Sequence, residues 1–168
     1  RVVGFERDSS GQLSAAISET RDGVRERWTA RVIVNATGIG ADAIRRLAEP
    51  DVSPRMLTSR GTHIVLRDQL CPSGVGLLVP STDDGRVLFM LPFFGRTLVG
   101  TTDLSCEQTM ATTPSKQEEQ YLLDYVQRWF PSTTPAAVTS RWAGGRPLLR
   151  PAGDGLDSSR VVREHEVE

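Results

Sequence analysis

"RVLFMLPFFGRTLVGTTD", residues 86–103, decides the fold. Val87 to Leu91 is apolar at every position, a run too short for a helix that must bury one stripe and of the right length for a strand. Such a run implies burial on both faces, or one face turned toward a ligand, and burial is the expected case. A turn near Gly95 sends the chain back through "TLVGTTD", so the two halves form an antiparallel pair. Working outward, "GLLVP" (76–80) is joined to the run by "STDDG" (81–85), whose Asp84-Gly85 pair suits a tight turn needing positive φ. "GTHIVLRD" (61–68) alternates like a further strand.

Beyond this hairpin, Ser115 and Glu118 have the spacing of a capping box. Tyr121, Leu122, Tyr125, Val126, Trp129 and Phe130 then recur at helical spacing until Pro131. This predicts an amphipathic helix of about four turns whose aromatic stripe is a packing face. "AVTSRWAGGRPLL" (137–149) and "SRVVREHEVE" (159–168) read as two more strands. Before the hairpin region, "RVVGFER", "QLSAAISE" and "VRERWTA" are separated by the turn sequences "DSSG" and "TRDG", and form a meander. "RVIVNATGIGADAIRRLAE" (31–49) follows as a buried strand, a glycine turn and a short helix. Pro50 and Pro54 mark the domain boundary, giving a first region of residues 1–50 and a second of 51–168. The expected fold class is α+β: an antiparallel sheet with one long amphipathic helix, preceded by a β-meander and a strand-turn-helix.

With 168 residues, 38% of them hydrophobic, the chain can build a real core. Twenty basic and 21 acidic side chains leave a formal charge of -1, which excludes a general attraction to nucleic acid, so any anion site is local. Cys71 and Cys106 lack metal-ligand spacing and are read as free thiols in a reducing compartment. No apolar run approaches the roughly 20 residues needed to span a bilayer. Both ends read as strand-like, which is expected of a piece cut from a longer chain.

Four stretches can carry chemistry. "VNATG" (34–38) ends an apolar run in small residues, where a ligand could approach the backbone; a plain tight turn is the alternative. His63 in "RGTHIV" can accept a hydroxyl proton at neutral pH, or be a half-buried residue bonded to a carbonyl. Thr101, Thr102 and Asp103 can hydrogen-bond a polar ligand at a strand end, or cap a turn. Arg146 follows Gly144-Gly145 and precedes Pro147, a setting that aims one guanidinium into a cleft. Arg163, two residues before His165 on the same strand face, would complete a two-arginine clamp for a dianion. Arg141, Arg150 and Arg160 are read as solvated charges. Ser59, His63 and Asp103 lack a nucleophile elbow, so a hydrolase is rejected.

Taken together, "VNATG", "RGTHIVL", "FMLPFFGRTLVGTTD", "WAGGRPLL" and "SSRVVREHEV" resemble, in order and spacing, the FAD-dependent glycerol-3-phosphate dehydrogenases. "WAGGRP" alone is shared with the amino-acid and glycine oxidases of the same superfamily. The resemblance implies that residues 1–50 are the end of an FAD-binding region and 51–168 a substrate domain, truncated at its C-terminus, whose sheet roofs the flavin. It implies hydride transfer from sn-glycerol 3-phosphate to FAD, giving dihydroxyacetone phosphate, with electrons passing to quinone. Ala36, Thr37 and Gly38 would contact FAD; Arg146 and Arg163 would hold the phosphate; His63 would lie at the reacting hydroxyl; Thr101 to Asp103 is a second-rank substrate site. It further implies peripheral attachment to the inner face of the cell membrane, and a homodimer. Ile39-Gly40 replaces the family's common Pro-Trp, Gly145 stands for a larger apolar residue, and no G-x-G-x-x-G motif opens the chain. This piece by itself is therefore expected to be inactive. An amino-acid oxidase and a non-catalytic binding module are the alternatives.

Overall fold

The computed structural model describes residues 1–72 and 74–150. They fall into two compact units, Arg1–Met56 and a second from Leu57 onward.

In the first unit, β1 (Val2–Arg7), β2 (Leu13–Glu19) and β3 (Arg25–Thr29) form the expected antiparallel meander, in the order β1-β2-β3. The first turn closes on Asp8, whose Oδ1 accepts the Ser10 and Gln12 amides at 2.8 and 3.1 Å, while Gly11 takes up φ +83°. A helix α1 (Ala41–Ala48) packs on β1, tied by the Arg7 guanidinium donating to the Ala48 carbonyl at 2.8 Å. Asp42, in its first turn, is buried and accepts the backbone N–H groups of Arg55 and Met56. Burial opposes its ionisation, yet these amides and Arg45 hold its carboxyl below the usual range.

One expectation fails here. Residues 31–37 lie outside any strand, and Val32 and Val34 are 75% and 80% exposed. A strand is stable only with a ladder partner, and among the described residues none pairs with this run.

The second unit is a sheet in the order β5-β6-β7-β4-β8, with β9 also paired to β4. Its strands are β4 (Met56–Leu66), β5 (Leu77–Val79), β6 (Leu88–Phe93), β7 (Arg96–Gly100), β8 (Leu104–Ser105) and β9 (Val138–Leu149). The β6-β7 turn has Phe94 and Gly95 at φ 50° and 74°, the two positive values of a two-residue hairpin that follows strand twist. Ile64, Leu66, Leu88, Met90 and Val99 point to one face and are at most 1% exposed. Against them lies α2 (Lys116–Trp129), contributing Leu122, Leu123, Tyr125 and Val126. Full burial of each such aliphatic side chain stabilises by about 1.5–3 kcal/mol. The capping box forms as expected: Ser115 Oγ accepts the Glu118 amide, and Glu118 Oε2 accepts the Ser115 amide at 3.1 Å. Trp129 falls off the packing stripe and is 64% exposed.

The expected burial of both faces of Val87–Leu91 is also corrected. Opposed residues share a face, and on the face away from α2 Leu78, Phe89 and Leu91 are 56%, 46% and 40% exposed. A sheet layer covered by one helix buries only alternate residues.

Candidate functional site in the second unit

β7 and β8 pair with successive parts of one edge of β4: His63 opposes Gly100, and Ser59 opposes Ser105. Between the two pairings, Thr101 to Asp103 leave the ladder as a short link. "GTTD" thus lies at the strand end, as expected: Gly100 is the last residue of β7, and Thr101 to Asp103 bridge from it to β8 along the same edge of β4. The other edge of β4 takes β9: near its start Thr139 Oγ1 donates to the Val65 carbonyl at 3.1 Å, and further along the Arg146 side chain reaches Gly61.

This arrangement brings Arg146 of β9 over Gly61 of β4. Its guanidinium donates to Thr101 Oγ1 at 3.1 Å and to the Thr102 carbonyl at 3.3 Å. A Cβ at Gly61 would stand 2.6 Å from both Cζ and Nη1 of that group, so the absence of a side chain is what admits it. Gly100 does the same for His63: a Cβ there would lie 2.7 Å from Nε2. The imidazole, half-buried, stacks on the Trp142 indole at 5.7 Å between centroids and 11° between planes. Burial, and then the positive charge of Arg146, hold the His63 pKa below its ordinary value, so the ring is neutral at pH 7.

The link itself is held from beneath. Thr102 is 2% exposed; its hydroxyl accepts the Thr62 amide at 2.8 Å and donates to Glu118 Oε1 at 2.8 Å. The proton of that hydroxyl and one of its lone pairs are thus engaged inside the protein. Ser59 donates directly to Asp103, with no imidazole between them, so the residues named above for a hydrolase do not form a relay. Arg163 and His165 lie outside the described residues.

Sequence reasoning named His63, Arg146 and Thr101 separately, and the structure gathers them along β4. It named Gly61 and Gly100 without reading that they admit these two side chains, and it gave Trp142 no part, although all three lie inside the quoted stretches "RGTHIV", "LVGTTD" and "AVTSRWAGGRPLL". It also missed Glu118 in any role beyond the helix cap.

Ala36, Thr37 and Gly38 belong to the first unit. Asn35 organises their turn, donating to the Ala41 carbonyl at 2.9 Å and accepting the Thr37 hydroxyl at 2.7 Å. Gly38 has φ +59°, and nothing lies within 4 Å of where its Cβ would be, so the backbone there is open to approach.

Among solved structures, the chain superposes on the glycerol-3-phosphate dehydrogenase of Bacillus halodurans complexed with FAD, with a TM-score of 0.80 and 27% identity over 89% of this chain and 31% of that one. Glycine oxidase from Bacillus cereus shares the fold, with a TM-score of 0.59 and 17% identity over 89% of this chain and 37% of that one. Among curated proteins, it is 39% identical to the mitochondrial glycerol-3-phosphate dehydrogenase of Arabidopsis thaliana over 92% of this chain and 25% of that protein. It is 32% identical to the mouse mitochondrial enzyme over 99% of this chain and 23% of that protein. The chain therefore spans about a quarter of the length of these curated relatives. A family model described as FAD dependent oxidoreductase matches residues 1–167, and the chain belongs to that family.

Proposed function

We propose that this chain is part of a dehydrogenase that oxidises sn-glycerol 3-phosphate to dihydroxyacetone phosphate with FAD as hydride acceptor. The observation that carries the reading is the pairing of a guanidinium seated over Gly61 with a neutral imidazole two residues along the same strand. Relatives named for this activity make a phosphorylated alcohol the substrate class.

A guanidinium has five N–H donors, and among the described residues two of its nitrogens each donate once, to Thr101 and Thr102. The remaining donors of Arg146 bind two oxygens of the phosphate, with Arg163 as its expected second cation. His63 accepts the proton of the C2 hydroxyl as C2 becomes a carbonyl. Its depressed pKa keeps the accepting nitrogen unprotonated, and stacking on Trp142 fixes the plane of the ring. The open backbone of Ala36, Thr37 and Gly38 fits the approach of a nucleotide cofactor, and these residues would hold part of FAD. FAD, when bound, supplies the two-electron acceptor for the hydride leaving C2. Electrons then pass to quinone. A homodimer held peripherally at the inner face of the cell membrane completes the proposal for the parent.

The test is His63→Ala in the full-length parent. The expected result is a loss of about 10²- to 10⁴-fold in kcat together with loss of the acid limb of the pH profile. An unchanged rate and profile would remove His63 as the base. Flavin bleaching by sn-glycerol 3-phosphate but not by glycine separates this activity from an amino-acid oxidase, and quinone reduction in membrane fractions tests the acceptor.

A further inference from the structure

Glu118 does more than cap α2. A capping box needs only an acceptor at its fourth position, and glutamine serves there as well as glutamate. Here the carboxylate is 5% exposed and ion-paired at 2.7 Å with Arg60, whose side chain is 6% exposed. Burying two charges is costly, and Arg60 Nε has no partner among the described residues, so stability alone is a poor reason for the pair.

The pair's position supplies a better one. Glu118 Oε2 takes Arg60 and the Ser115 hydroxyl, while Oε1 takes the Thr102 hydroxyl at 2.8 Å. Thr102 is thereby fixed at three points: its hydroxyl between Glu118 and the Thr62 amide, its N–H on the Thr62 carbonyl at 3.4 Å, and its own carbonyl under Arg146. Arg60 is in turn anchored by donating to the Met110 carbonyl at 3.0 Å.

We infer that Glu118 is a positioning residue: through Thr102 it locks the Thr101–Thr102 link so that its two oxygens hold the Arg146 guanidinium in register with the substrate's anionic group. This rests on the reading of Arg146 as the phosphate ligand. It assigns the N-terminus of α2 and the buried ion pair a part in substrate affinity, transmitted across β4 by a single hydroxyl.

The test uses the full-length parent enzyme with sn-glycerol 3-phosphate. Thr102→Val keeps the side chain's shape, the cap and the ion pair, and removes only the hydroxyl. The expected result is a rise of about tenfold in KM with kcat nearly unchanged, because uniform binding is lost. Glu118→Gln retains the cap and is expected to raise KM in the same direction. In an Arg146→Ala background Thr102→Val is expected to add nothing further to KM. A wild-type KM in Thr102→Val alongside a raised KM in Arg146→Ala would overturn the inference and leave the phosphate reading standing. A wild-type KM in Arg146→Ala would overturn the phosphate reading. A crystal structure of Thr102→Val then decides the positioning by itself, since a guanidinium still on the Thr102 carbonyl would refute it and a displaced one would support it.

Discussion

Gly61→Ala separates the seat of Arg146 from the stability of the fold. The φ of Gly61 is outside the left-handed region, so an alanine there meets no backbone strain, only the guanidinium. The added methyl would lie 2.6 Å from Cζ and Nη1 and closer still to Nη2, against about 3.5 Å for an unstrained contact, so the group must retreat by more than about 0.9 Å. Its two hydrogen bonds already measure 3.1 and 3.3 Å, and a displacement of that size breaks both. A charged hydrogen-bonding arrangement of this kind contributes about 1.5–3 kcal/mol, so KM for sn-glycerol 3-phosphate is expected to rise roughly ten- to a hundredfold. Tm is expected to move by only a few degrees: the displaced atoms end a flexible side chain, and Gly→Ala offsets about 0.4–1 kcal/mol through the unfolded chain. Steady-state kinetics and a thermal melt of the full-length parent measure both quantities. A wild-type KM in Gly61→Ala would refute the seating of Arg146 as the source of affinity, and a collapse in Tm would show that the backbone, not the side chain, gives way.

Gly100→Ala acts on the neighbouring seat. Its Cβ would stand 2.7 Å from Nε2 of a ring that Trp142 prevents from sliding away, so kcat is expected to fall by about tenfold or more with a smaller change in KM. Burial opposes ionisation of Glu118, but the bonds from Ser115, Thr102 and Arg60 prevail and hold its carboxyl below the usual range. Its contribution to stability is therefore complete above the ordinary glutamate pKa and is lost as pH falls through the depressed native value; Glu118→Gln is expected to show a shallower acid slope in unfolding measurements. His63 has its pKa lowered, so the acid-side decline of kcat/KM is expected to begin at a lower pH than an ordinary histidine would give, which a pH series on the parent checks. The 168-residue chain purified by itself is expected to be colourless, and a stoichiometric yellow protein would contradict the need for the G-x-G-x-x-G cradle.

What could be read in the sequence was whatever local chemistry dictates. Asp84-Gly85, Gly95 and the Ser115–Glu118 box each specify a backbone geometry within four residues, and each forms in the structure. Val32 and Val34 misled because β-branched residues announce a strand without naming its partner, and pairing is a long-range property. Phe89 and Leu91 misled for a related reason: apolarity on both sides of a strand does not say which side the rest of the unit covers. At the candidate site, Arg146 and His63 were visible as chemistry beside glycines. The partner of each glycine was not visible, because Gly61 belongs to Arg146 and Gly100 to His63 across different strand pairs. Glu118 was concealed by its ordinary helix-capping spacing, since only the tertiary fold reveals Arg60 and Thr102 at its other side.

The uncovered side of β5 and β6 has a practical corollary. Leu78, Phe89 and Leu91 form a greasy surface that plays no part in the packing of α2, and Phe94 at the hairpin tip adds a 92% exposed ring. Expressed alone, the chain would aggregate through that surface at high concentration. Replacing Phe89 and Leu91 with threonine would raise its solubility while leaving the helix-side interior intact, a route to a well-behaved sample for spectroscopy.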